Sequence, residues 1–127
     1  MEFTFNSINS KDFNIKIKKS NNLSIPRKKL EFIEVQGRTD NLVIDEGSRE
    51  MLDIEIEGYI DCRDSNTFTY ASRLDSWLNG SSDYQDLIFD DGTVLKAIFV
   101  GQIDFNEVVE NFNEILLQFK AYRAGDL

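Results

Sequence analysis

Histidine is absent from this sequence, and its absence removes most of the side-chain chemistry that runs near neutral pH. No Ser–His–Asp or Cys–His arrangement can form, and no metal can be held through imidazole. The one cysteine, Cys62, permits no disulfide within the chain, which suits a reducing or redox-indifferent setting. No apolar run approaches the length that spans a bilayer. Residues 1–20 also lack a basic start followed by an apolar stretch, so neither a membrane association nor a leader is expected. Asn22-Leu23-Ser24 and Asn79-Gly80-Ser81 match the glycosylation pattern and, without secretion, read as chance matches. Positive charge is also scarce: 14 Lys and Arg stand against 23 Asp and Glu, a net charge of −9. Phosphate binding draws its affinity from clustered cations, so this balance argues against a nucleic-acid binder. The one basic cluster, Arg27-Lys28-Lys29, follows the only proline and reads as a solvated loop, with a surface patch for a partner as the lesser reading.

What is present is apolar and aromatic. A hydrophobic fraction of 41% with 10 Phe, 4 Tyr and 1 Trp can fill a core, and 127 residues predict a single domain over residues 1–127. Most of the chain alternates with period two, the mark of half-buried strands. Phe3 and Phe5 share one face; so do Phe13, Ile15 and Ile17 after a turn at Asn6–Ser10. Residues 18–29 are polar and loop-like. Leu30 and Phe32 resume the alternation, and a slip in phase at Ile33 predicts a bulge. Met51–Ile60 gives the strongest strand signal, with Leu52, Ile54 and Ile56 on one face and Asp53, Glu55 and Glu57 on the other.

One helix interrupts the strands. Asp64, Ser65 or Asn66 can cap its start, and Phe68, Ala71, Leu74, Trp77 and Leu78 predict a core-facing stripe. Gly80 stands where a left-handed cap belongs. Trp77 reads as a core anchor whose indole N–H needs a partner. Leu87-Ile88-Phe89, then Asp-Asp-Gly, then Val94–Val100 predicts a hairpin. A second is expected from Ile103 and Phe105 through a turn at Val108–Asn113 to Ile115, Leu117 and Phe119. This order predicts an α+β, mostly β domain: a curled antiparallel sheet or open split barrel with one helix packed on it.

No catalytic constellation or cofactor site emerges, so no cofactor is expected. The row Asp53, Glu55, Glu57 looks uniformly wet, whereas a glycosidase pair needs one acid in an apolar pocket. Asp90 and Asp91 lack the ligand spacing of a calcium loop and read as turn acids. The segment Gly37-Arg38-Thr39-Asp40 breaks an apolar run abruptly. Its glycine suits a turn between strands, and the planar Arg38 guanidinium suits a carboxylate on this chain or on a neighbour.

The order of these motifs resembles the N-terminal domain of the distal tail proteins of long-tailed bacteriophages. That family opens on an aromatic strand and turn, here "FTFNSINSKDFNIKI". A Gly-Arg segment follows, here Val35 to Leu42, with Gln36 where the family has proline and Asn41 where it has glycine. Next come an acidic strand, a helix ending in Trp77-Leu78, the hairpin start Leu87-Ile88-Phe89-Asp90, and a closing strand, here "ILLQFKAYR". The final strand lacks the cysteine and proline that often close the domain. The match covers the family's N-terminal domain alone, which suits either a ring-only member or a piece of a longer chain.

The resemblance implies a structural protein of the virion tail, assembled in the bacterial host's cytoplasm. Six copies would form a ring joining the tail tube protein to the baseplate hub or tail-associated protein, around a channel through which DNA passes without specific binding. Gly37, Arg38 and Asp40 become candidate interaction residues. Asp53, Glu55 and Glu57, or the turn at Glu107–Glu110, become candidate channel linings. Two other readings remain open: another tail or tail-like assembly part, and a small carbohydrate-binding β domain with Trp77, Tyr59 or Tyr84 as stacking platforms.

Overall fold

A computed structural model of the chain describes residues 1–123. Its centre is two long neighbouring strands, β6 (Leu52–Asp61) and β10 (Phe112–Arg123), paired antiparallel from Leu52–Ala121 to Asp61–Phe112. The predicted alternation holds along both. Leu52, Ile54, Ile56 and Ile60 are buried, as are Ile115, Leu117, Phe119 and Ala121. Beyond β6 lies β3 (Ile15–Ser20). On its other side β10 pairs first with β9 (Asn106–Val109) and then with β8 (Val94–Val100). The sheet continues through β7 (Gln85–Phe89) and β1 (Phe3–Phe5) to the two-residue β2 (Ile8–Asn9). It curls without closing, and β2 and β3 remain its edges. The mostly β, α+β architecture is the predicted one.

The helix α1 (Thr67–Leu78) covers the inner face. Asn66 caps it, its side-chain oxygen accepting from the Thr69 N–H at 2.8 Å. Trp77 lies over Phe3 and Phe13, and its Nε1 donates to the Phe5 carbonyl at 2.8 Å, so the predicted indole partner is the backbone of β1. The buried stripe is Tyr70, Leu74, Trp77 and Leu78, spaced i, i+4, i+7, i+8. Phe68 corrects the expected stripe: it is 81% exposed, because nine residues at 100° each set it opposite Trp77 on the helix. Gly80 corrects the expected cap. It is not left-handed; instead a Cβ there would clash with the Ser76 carbonyl oxygen.

Several boundaries also differ. Phe13 belongs to a 3₁₀ turn, Ser10–Phe13, that Asn14 ends in the left-handed region, rather than to a strand. The segment read as loop contributes β3 through Ser20. It also holds the start of a later strand, at Lys28, and in between Asn21 bonds the Asp53 carbonyl and the Glu55 N–H while buried Asn22 donates to Asp91 and Thr93. Ile103 and Phe105 pack on the core without forming a strand; β9 takes their place in the second hairpin, whose turn falls at residues 110 and 111, inside the expected Val108–Asn113.

Candidate functional site

Strands β4 (Lys28–Ile33) and β5 (Leu42–Arg49) form a two-stranded sheet of their own. Phe32 stands opposite Val43, Ile33 opposite Leu42, and Leu30 opposite Asp45. One face therefore carries Leu30, Phe32 and Val43, the other Ile33, Leu42 and Ile44. All six are exposed, Phe32 at 61%. The half-burial expected for Leu30 and Phe32 is not observed, because among the described residues no layer covers either face. A lone hairpin is marginal in water, and apolar side chains on both of its faces call for a cover from outside the chain. Leu23 and Ile25, each 74% exposed, extend this apolar surface along the chain before its stem. At the stem the Glu50 N–H donates to the Arg27 carbonyl and Arg49 Nη1 to the Pro26 carbonyl, fixing where the arm leaves the body.

Gly37 and Arg38 lie at the tip, between β4 and β5. Gly37 has φ +84, which an L side chain adopts only with strain, and the Arg38 N–H closes the turn on the Val35 carbonyl. Arg38 makes a two-pronged bond to Asp40, Nε to Oδ1 at 3.2 Å and Nη2 to Oδ2 at 2.8 Å. The pair is internal and solvated, so it shapes the tip.

The acidic row sits far from the tip, on the outer face of β6. Lys120 Nζ lies 2.6 Å from Asp53, covering one end of the row, while Glu55 and Glu57 have no ion pair among the described residues. Neighbouring acids are also matched: Lys18 pairs with Glu114 and Lys96 with Asp86. The alternation of β10 points Lys120 outward, but only the pairing register sets it against Asp53, and register was not readable beforehand.

A shallow cleft of about 390 Å³ lies at the far end of β6, lined by Asn14, Lys16, Tyr59, Asp61, Arg63, Asp64 and Phe112. Asp61 and Arg63 of this lining already serve one another. Asp61 takes both the Arg63 guanidinium and the Arg63 backbone N–H, and the side-chain bond first holds its carboxyl down to about 2. Tyr59 stacks on Phe112, which Arg63 caps from 5.3 Å. Tyr84 meets Tyr122 edge to face, and Trp77 is buried, so the strongest platform of the carbohydrate-binding reading is not available to a sugar. Asp90 and Asp91 act as turn acids: Asp91 accepts from the Thr93 N–H, the chief cause of its lowered pKa, and Asp90 accepts from the Glu2 N–H. Among the described residues no group of three or more Cys, Asp or Glu is placed to hold a metal. No described helix is long and apolar enough to cross a membrane.

No family model matches this chain, and no curated protein sequence matches it. Among solved structures it is similar to the Dit protein of phage SPP1, described as a paradigm of the hub adsorption apparatus in phages that infect Gram-positive bacteria. The superposition has a TM-score of 0.77 at 11% identity and covers 98% of this chain and 50% of that one. The chain thus spans about half the length of SPP1 Dit, and what the two share is the fold.

Proposed function

We propose that this chain is a structural part of a phage tail. In this reading its copies close into a ring, six by the resemblance of its motifs, that joins the tail tube to the baseplate hub around a channel for DNA. The hairpin arm carries the reading: six exposed apolar side chains on two faces, joined to a body with the fold of SPP1 Dit, suit a segment whose cover is another subunit. No residue has a catalytic role in it. The wet acids of β6 suit a lumen, because like charge discourages phosphate contact with passing DNA, within the roughly 8 Å that screening allows at physiological salt.

Light scattering and negative-stain images of the purified chain test the proposal, beside a variant in which residues 29–48 are replaced by a short Gly-Ser turn. The intact chain is expected to form rings and the variant to remain a folded monomer. An intact chain that stays monomeric at every concentration and salt would overturn the self-assembling ring.

A further inference from the structure

The chain that leads into the arm is tied down residue by residue. Strand β3 ends at Ser20, opposite Ile56 of β6. Asn21 continues the attachment with its side chain: the carboxamide donates to the Asp53 carbonyl at 2.9 Å and accepts from the Glu55 N–H at 2.8 Å. Asn22, the next residue, reaches a different element. Its side chain is buried, and Nδ2 donates to Asp91 Oδ2 at 2.8 Å and to Thr93 Oγ1 at 3.2 Å in the turn between β7 and β8. Two adjacent residues thereby tie β6 to a turn that the sheet itself reaches only through β10 and β8.

The receiving turn is itself fixed. Asp91 Oδ1 accepts from the Thr93 N–H at 3.0 Å and from Thr93 Oγ1 at 2.8 Å, which leaves Oδ2 for Asn22. Between Asn22 and the stem, the Ser24 N–H and hydroxyl both donate to the Asn21 carbonyl, at 3.1 and 2.8 Å, and Pro26 is buried. The return side of the stem is short: Glu50 and Met51 alone separate β5 from β6. A buried amide is costly unless its bonds are made, so Asn22 holds its one place firmly. The root is therefore braced, while among the described residues no layer covers the faces of the arm that grows from it. Such bracing does little for the core. What it supplies is direction.

We infer that Asn22, with Asn21 and Asp91, is a positioning residue: it sets the angle at which the arm leaves the body, and through that the angle between neighbouring copies. The inference rests on the ring reading and deepens it. Copies joined head to tail close into a ring only when each contact turns the next copy by the angle that closure needs, and otherwise they run on as open chains. An arm loose at its root would let that angle vary, and it would lose more freedom when a neighbour grips it. A braced arm carries one angle from its own body to the next.

Spin labels on Thr39→Cys at the arm tip and Ser72→Cys on the exposed side of α1 read the arm's direction as a distance, in chains diluted with an excess of unlabelled chain. Both positions are exposed, and buried Cys62 stays unlabelled. The intact root is expected to give one narrow distance. Asn22→Ala is expected to lose it for a broad distribution while the circular dichroism of the body stays unchanged. Asp91→Ala, at an exposed turn position, removes the same bond from its other end and should do likewise, so the effect cannot be laid to a void at residue 22. In negative-stain images both variants should lose the single ring size and show open or mixed assemblies. Distances as narrow in both variants as in the intact root would overturn the brace. A broadened distance beside an unchanged ring size would overturn the link from arm angle to ring, and leave the ring standing. An intact chain that never associates would overturn the ring reading and that link together, while the distances still decide whether these residues hold the arm.

Discussion

Strands β5 and β6 are adjacent in sequence and meet opposite fates. Along β6 Leu52, Ile54 and Ile56 are buried and Asp53 and Glu55 are exposed, whereas no residue of β5 reaches full burial. Alternation tells which residues share a face. Burial requires a second layer: β6 has α1 and the curled sheet across from it, whereas β5 is paired with β4 and among the described residues has no layer across from it. The arm also carries its irregularity in a different place from the one its phase slip suggests. Two steps along β4, Lys28 to Leu30, face four along β5, Asp45 to Arg49, so the bulge lies in β5. Gly47 turns there at φ +78, with its N–H donating to Asp45 Oδ1 at 2.9 Å.

The contrast is broken most strongly by shortening a side chain on each side of it. Leu74→Ala removes a side chain buried under α1 and is expected to lower stability by about 2–5 kcal/mol in urea unfolding. Phe32→Ala on the arm and Phe68→Ala on the outer face of the helix should each change it by less than about 0.5 kcal/mol. A large loss at Phe32 would mean that the arm folds back on its own body. Trp77→Phe comes next in size. It keeps most of the packing on Phe3 and Phe13 but strands the buried Phe5 carbonyl, a cost of about 1–3 kcal/mol read from the same denaturant midpoint. An unchanged midpoint would show that this carbonyl finds another donor.

Much of the body was legible for a plain reason. Where one face of a strand is buried, composition must follow the pleat, so β6, β10 and the β7–β8 hairpin declare themselves. The Trp77 bond was legible as a need, because a buried indole N–H requires an acceptor, but not as a partner. The helix stripe was half legible: Leu74, Trp77 and Leu78 lie on it, but Phe68 is apolar and exposed, and Tyr70 is buried despite its hydroxyl. That hydroxyl donates to nearby Asp64 at 2.7 Å and accepts from Asn14, distant in sequence, at 2.8 Å. The arm was least legible, since its alternation is indistinguishable from that of a core strand until the rest of the chain is seen to leave it bare. Of the candidate residues, Gly37, Arg38 and Asp40 fall together at the arm tip and Asp53, Glu55 and Glu57 together on β6. The structure brings the two groups to separate places.

Two Arg–Asp pairs of the same spacing sharpen the comparison further, one on each region. On the arm, Arg38 and Asp40 form an exposed two-pronged bridge, and exposed pairs contribute about 0–1 kcal/mol. Arg38→Ala is therefore expected to keep the fold by circular dichroism, to shift the urea midpoint only slightly, and to leave the ring mass unchanged, since the partner is in the same chain. Lost ring mass with an intact fold would show that Arg38 reaches a neighbour.

On the body, Asp61 receives the Arg63 side chain, then the Arg63 backbone N–H at 3.0 Å, and its pKa falls from 3.8 to about 2. A folded pKa below the unfolded one means the pair favours the folded state when Asp61 is ionised. That contribution is fully present above about pH 4 and is lost as pH falls through about 2. Both side chains are solvated, so this is the smallest effect expected, and other acids titrate in the same range. The measurement is thus a difference: urea midpoints of the intact chain and of Asp61→Asn, followed from pH 5 to pH 2. The intact chain should fall more steeply between pH 4 and 2, and the two curves should converge at the acid end. Parallel curves would mean that the bridge does no more for the folded body than water does for the separated ions.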